Sequence, residues 1–275
     1  MQAPAMSDVA RHRSFLFVPG NRPERFAKAL DSGADAIILD LEDAVAPASK
    51  HEARDAVAAW LSPARPVLIR VNACDTPWFD HDAQLGKLRG VAGIVLPKAE
   101  SAADIVALVS RTKSRMPVFP LIESAKGMFN ALDIAKAPFV HRLMFGTLDF
   151  CADMNMVTDD DVLDPFRANL AMISRVAGIG APIDGVTPAI DDEEALKTAT
   201  LNGKRRGFTG KLCIHPKQVR TINHCHAPSE AELAWAERVL DAFSNANGAA
   251  IAVDGKMVDR PVVLRAQTIL ESVRA

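Results

Sequence analysis

Glu123 and Asp149 are the residues whose type and placement first suggest chemistry. Each follows a short apolar run, LI (121–122) and LMFG (143–146), one repeat apart along the chain. Two carboxylates at matching points of neighbouring strands offer two hard oxygen ligands. That is how Mg²⁺ is ordinarily held, with waters and substrate oxygens completing its shell. No histidine accompanies them, which argues against zinc or a non-haem iron triad. The other reading is that they pair with nearby lysine or arginine, and spacing alone supports both. Arg70, ending VLIR (67–70), is open in the same way. It is either a core salt bridge or a planar fork for a carboxylate or enolate oxygen. Further carboxylates and a lysine follow other apolar runs: Asp40, Glu42 and Asp43 in LDLED, and Lys98 in LPKAE. Carboxylates crowded in a dry cavity repel one another unless a cation or a shared proton intervenes.

The elements that would position these groups alternate along the chain. Apolar runs occupy 14–18, 36–41, 66–71, 93–97, 117–122, 142–146, 181–186 and 211–215. They are near-continuous rather than alternating, as suits strands buried on both faces of a parallel sheet. Helical stretches lie between them. Pro23 and Gly33 bracket one; Ser49 with Glu52 reads as a capping box for the next; Asp191 introduces another. Eight strands alternating with helices in 275 residues predict a TIM (β/α)8 barrel, which needs about 250 residues and builds its site at the C-terminal strand ends. A doubly wound dinucleotide fold is disfavoured, because VPGNRPERF after the first run is not G-x-G-x-x-G. The barrel is expected over 1–225. A C-terminal extension over 226–275, with a helix, the hairpin-like AIAVDGKMVD (250–259) and a final helix, would cap the barrel or a neighbouring subunit.

Thirty-two basic residues against 34 acidic ones give a net charge of −2. That balance provides no field for nucleic acid or an anionic membrane, so neither is expected as a partner. No apolar run approaches the ~18 residues of a membrane span, and the N-terminal stretch lacks the apolar core of a signal peptide. The four cysteines form no C-x-x-C pair and read as reduced residues of a cytoplasmic protein.

Several stretches together resemble a known family. RSFLFVPGNRPER (13–25), ADAIILDLEDAV (34–45), VLIRVN (67–72), GIVLPKAE (93–100), LIESAKGM (121–128), FGTLDFCADM (145–154), GFTGKLCIHPKQV (207–219) and GKMVDRPVVLRAQTIL (255–270) run in family order over nearly the whole chain. The chain resembles the citrate lyase β-chain and malyl-CoA/citramalyl-CoA lyases, within the pyruvate- and phosphoenolpyruvate-type aldolase barrels. The resemblance implies a Mg²⁺-dependent carbon–carbon lyase acting on a short hydroxyacyl-CoA. Glu123 and Asp149 would be the metal ligands, Glu123 also bordering the substrate. Arg70 would bind the acyl end near its reacting thioester oxygen. Arg22 and Arg25 would meet the CoA phosphates, although Arg25 also reads as an ordinary solvated helix residue. Asp40, Glu42, Asp43 and Lys98 would form an outer ring that orders metal waters and Arg70. A Schiff base on Lys98 is disfavoured, since acidic neighbours keep the amine protonated. Asp259 matches an acid/base aspartate that acts in a neighbouring subunit's site, and it also reads as an N-cap. A tail exchanged in this way favours a closed homo-oligomer, a trimer foremost. Two alternatives remain on the sequence: a citrate lyase complex subunit using an acyl-carrier-protein thioester, and an HpcH/HpaI-type aldolase of free acids.

Overall fold

The computed structural model describes residues 12–113, 115–157, 161–245 and 251–272. They fall into two compact units that divide between Asn223 and His224.

The first unit is a TIM barrel. Its strands are β1 (Ser14–Pro19), β2 (Ala36–Asp40), β3 (Val67–Arg70), β4 (Val91–Leu96), β5 (Val118–Ile122), β6 (Arg142–Phe145), β7 (Gly180–Asp184) and β8 (Gly210–Cys213). They pair in parallel in chain order, and β8 closes onto β1 through Ser14↔Lys211. Aliphatic runs form these strands because both faces are covered. Phe15, Ile38, Leu68, Val95, Phe119, Leu121, Met144, Ile183 and Leu212 fill the interior, at least one from each strand. Their neighbours Leu16, Ile37, Leu39, Ile69, Ile94 and Leu143 point outward, into a shell with helix residues such as Val57, Ile105, Leu170 and Ile222. Truncating one such fully buried aliphatic side chain to alanine costs about 2–5 kcal/mol.

Helix starts depart from the sequence expectation in two places. Ser49 makes no side-chain cap for the helix Lys50–Trp60. A 3-10 turn, Pro47–Ser49, already winds into that helix, and the Lys50 N–H donates to the Pro47 carbonyl. Asp192, not Asp191, caps the helix Glu193–Arg205 by accepting from the Ala195 N–H. Asp191 instead meets Lys217 at 2.6 Å on the surface. The true capping box is Ser101 with Asp104, ahead of Ala102–Val109. The segment opened by Pro23 is a 3-10 turn, Pro23–Arg25, followed by a short helix, Phe26–Leu30. Gly33 beyond it takes the left-handed φ of 78° expected after a helix end.

The second unit contains the helix Glu230–Asn245, the strands β9 (Ile251–Val253) and β10 (Lys256–Val258), and the helix Arg260–Glu271. Asp254 and Gly255 both have positive φ, 51° and 74°. This is the two-residue turn an antiparallel hairpin of native twist favours. Ala236, Val239, Val258, Val263 and Ala266 give the unit its own small core. Among the described residues no helix is long and apolar enough to cross a membrane.

The cysteines form no disulfide. Burial pushes the Cys213 thiol up to about 12, and the half-buried Cys74 thiol is raised as far by burial and by Asp104.

Candidate active site at the C-terminal ends of the strands

Asp40 ends β2 and Arg70 ends β3, and the two are register partners. Both point into the barrel, so they meet side-on. Arg70 Nε donates to Asp40 Oδ1 and Nη2 to Asp40 Oδ2, both at 2.7 Å. Asp40 also accepts the N–H groups of Glu42, at 2.9 Å, and Ala44, at 3.2 Å, which turns the chain sharply after β2. That turn carries Glu42 and Asp43 back over the guanidinium. Arg70 Nη1 lies 2.9 Å from Glu42 Oε2 and 3.3 Å from Asp43 Oδ2. The guanidinium also stands over the Phe17 ring, 4.6 Å from its centroid. Burial alone would lower the pKa of Arg70, but Asp40, Glu42 and Asp43 outweigh it and hold the guanidinium firmly charged.

Lys98 follows β4 with a left-handed φ of 49°. For a residue with a Cβ this backbone costs roughly 1 kcal/mol, and here it serves a geometric purpose. It aims the Lys98 N–H at Glu123 Oε2, 2.8 Å away, while Lys98 Nζ reaches Glu42 Oε1 at 3.3 Å. One residue therefore ties the two buried glutamates. Burial opposes the Lys98 charge, but Glu42 outweighs it, so the amine stays above its usual range. That environment does not suit a Schiff-base nucleophile.

Glu123 directly follows β5 and is 4% exposed. Burial, and then the charge of Glu42, push its carboxyl up to about 8; Asp149 adds to the push, and Arg70 and the Lys98 N–H oppose it. Glu42 rises to about 7, through burial first, with Asp43 and Asp40 adding and Arg70 and Lys98 opposing. The cluster thus holds more negative charge than its two cations neutralise. Gly146 is the residue that makes room for it: a Cβ there would stand 2.4 Å from Glu123 Cγ.

Asp149 is placed differently from the expectation of a strand end. β6 stops at Phe145, Gly146 turns the chain, and Asp149 lies exposed in the first turn of the helix Thr147–Asp153. It is nonetheless close enough to act on Glu123. Among the described residues no group of three Asp, Glu, His or Cys side chains stands together as a metal cage. Glu123 with Asp149 would provide two oxygen donors and leave the remaining positions to water and substrate, a set that fits a hard divalent cation such as Mg²⁺ and not zinc. Surplus buried negative charge is what such an ion would relieve.

Arg22 and Arg25 lie exposed on the loop after β1. Their recorded partner is Glu24, 2.7 Å from Arg22 Nε and 3.9 Å from Arg25 Nε. Asp259 belongs to the second unit, where it is the N-cap of Arg260–Glu271 and accepts from the Val262 N–H at 3.4 Å.

Comparison with known proteins identifies the family. The HpcH/HpaI aldolase/citrate lyase family model matches residues 13–216. The chain belongs to that family. A citrate lyase subunit beta-like protein of Deinococcus radiodurans is 34% identical over 94% of this chain and 96% of its own length. A (3S)-malyl-CoA thioesterase of Cereibacter sphaeroides is 35% identical over 96% and 95%. The crystal structure of CitE from Mycobacterium tuberculosis, in complex with magnesium, acetoacetate and coenzyme A, superposes with a TM-score of 0.86. It is 35% identical and covers 97% of this chain and 99% of that one.

Three buried residues near the site escaped the sequence reading. Asn72 Nδ2 donates to the Leu41 carbonyl at 3.0 Å and to Asp82 Oδ2 at 2.6 Å. Asp82, wholly buried, also accepts from Arg54 Nη1 at 3.1 Å. Lys50 lies under the β2 loop. Its signal was its helical spacing: Lys50, Ala53 and Val57 share one buried stripe, which is no place for an ordinary surface lysine.

Proposed function

We propose that this chain is a magnesium-dependent carbon–carbon lyase. Its substrate is a short hydroxyacyl-CoA of the malyl-, citramalyl- or citryl-CoA type, cleaved by retro-Claisen chemistry to acetyl-CoA and a 2-oxo acid. The observation that carries this reading is one connected cluster, in which Arg70 is clasped by Asp40 and meets Glu42, and Lys98 links Glu42 to the buried Glu123. Family membership and a neighbouring structure holding magnesium and coenzyme A support it.

Glu123 and Asp149 would hold the metal. When bound, Mg²⁺ supplies Lewis-acid polarisation of the hydroxyl oxygen that becomes the keto group. Arg70, with Nε and Nη2 committed to Asp40 and Nη1 beside Glu42 and Asp43, would stabilise the enolate that develops on the thioester oxygen as the carbon–carbon bond breaks. The hydroxyl would lose its proton to solvent water, and the α-carbon of the departing acetyl thioester would gain one, so that protons balance over the cleavage. Asp259 is assigned that second proton, giving it in cleavage and taking it in condensation. The assignment places Asp259 in the site of a neighbouring subunit within a homotrimer. Arg22 and Arg25 would receive the CoA phosphates at the rim.

A second reading, thioester hydrolysis to the free hydroxy acid and CoA, is favoured by the name of the Cereibacter relatives. The deciding experiment incubates purified protein with malyl-, citramalyl- and citryl-CoA, with and without EDTA, and identifies products by mass. Acetyl-CoA plus an oxo acid, lost with EDTA, is the expected result. Free CoA plus the intact hydroxy acid would replace the lyase reading, and inertness toward all three would remove both. Magnesium should also raise the melting temperature, since a ligand of the folded state alone stabilises it. Glu123→Ala should abolish that rise, and a rise that survives the substitution means the ligand assignment is wrong.

A further inference from the structure

Lys50 is the first residue of the helix Lys50–Trp60 and is 5% exposed. Its ammonium donates to two successive main-chain carbonyls, Leu41 and Glu42, each at 2.7 Å. These peptides lie directly between Asp40, which fixes Arg70, and the side chain of Glu42, which meets both Arg70 and Lys98. The same helix grips the loop a second time. Arg54 donates to Asp82, Asp82 accepts from Asn72, and Asn72 donates to the Leu41 carbonyl already held by Lys50. Neutral donors would suffice to satisfy two carbonyls. A buried ammonium is costly unless it is paired and hydrogen-bonded, and this one lies near Asp40 and Glu42, which favour its charge against burial.

We infer that Lys50 is a positioning residue of the lyase site: it pins the Leu41–Glu42 peptides, so that Asp40 and Glu42 hold the Arg70 guanidinium in its working orientation. This rests on the lyase reading above but makes separate demands. Lys50 touches neither Glu123 nor Asp149, so its loss should leave the metal ligands in place and disturb Arg70.

The test compares Lys50→Met and Lys50→Arg with the wild-type chain. Lys50→Met is expected to keep the magnesium-induced rise in melting temperature. It should lower kcat about 30-fold or more while KM stays within about threefold, the pattern of an interaction made mainly in the transition state. Lys50→Arg, which keeps the charge and a donor, should recover part of the loss. The ¹H–¹⁵N resonance of Arg70 Nε, assigned by its disappearance in Arg70→Lys, should move in Lys50→Met. A folded Lys50→Met protein with kcat near wild type, or with an unmoved Arg70 resonance, overturns the inference. Should Lys50→Met not fold, Asn72→Ala removes another donor to the Leu41 carbonyl. It must then lower kcat and move the same resonance, and if it does neither the inference falls. A wild-type protein that cleaves none of the three thioesters would sink the lyase reading itself, whereas loss in Arg70→Lys beside an unaffected Lys50→Met sinks only the role of Lys50.

Discussion

Two arginines lie inside the same barrel at opposite ends, and their surroundings differ in kind. Arg70 closes β3 at the C-terminal end, clasped by Asp40, Glu42 and Asp43 and held firmly protonated. Arg142 opens β6 at the N-terminal end and is wholly buried. It donates to the carbonyls of Ala181, at 2.6 Å, and His12, at 2.8 Å, and to the Thr209 hydroxyl at 2.9 Å, with its guanidinium 5.3 Å from the Phe15 ring centroid. Burial pushes its pKa down to about 9. The lower arginine ties β6, β7 and the start of the chain's first strand segment through the Ala181, His12 and Thr209 acceptors. The upper one sits in a field of surplus negative charge, which would be a poor arrangement for stability alone. Clustered charge at one end and hydrogen bonding at the other would separate, on the proposed function, the end that reacts from the end that holds.

Substitution can break that contrast. Arg70→Lys should cost activity first: a loss of at least about 10²–10³ in kcat, as for deletion of a donor to a developing oxyanion, with most of the stability kept because an ammonium still faces Asp40 and Glu42. Steady-state assays beside thermal melts check this. Arg142→Met should do the reverse, lowering stability by about 1–3 kcal/mol for each buried acceptor left without its donor, with the specific activity of the folded fraction intact. Denaturant titration measures it. If both variants fail in the same way, the division of labour between the two ends is wrong.

Gly146→Ala is a finer probe of the upper end. The added methyl would collide with Glu123, so magnesium affinity should fall about 10- to 100-fold, as when the support of a metal ligand is disturbed. Calorimetric titration reads it directly, and unchanged affinity would show that Glu123 can move without cost. The smallest expected effect is in pH. Glu42 and Glu123 have folded-state values of about 7 and about 8, raised from an ordinary 4.5. The folded state therefore binds more protons than the unfolded state across that interval. Their stabilising contribution is full below 4.5 and is lost as pH rises through about 7 and 8. The metal-free melting temperature should decline over that window, and saturating magnesium should flatten the decline. A metal-free profile with no such decline would remove the charge surplus from the upper end.

Much of this contrast was legible beforehand, for a physical reason. Strands buried on two faces must be apolar almost throughout, so AIILDL and PVLIRV announce themselves, and a charged residue ending such a run has to face the barrel mouth. Arg70, Asp40 and Glu123 are found that way. Asp149 was harder, because Gly146 starts a helix immediately and leaves the aspartate in its first turn, where no strand period can place it. Ser49 and Asp191 were misread as helix starts, since a cap depends on the backbone angles of the residue before the helix, which Pro47 and the Asp192 turn determine. Lys50 and Asn72 act on main-chain carbonyls. A carbonyl carries no side-chain signature, so its partners cannot be read from residue types.

The quiet thiols have a consequence for the thioester chemistry proposed above. An acyl-CoA is electrophilic, and CoA released nearby could exchange with an ionised cysteine. With Cys74 and Cys213 held near 12, only about one thiol in 10⁵ is thiolate at neutral pH. Such side chains neither capture an acyl group from the substrate nor form mixed disulfides with the product. Two of the four thiols would in this way stay inert toward the activated sulfur compounds that the proposed reaction handles.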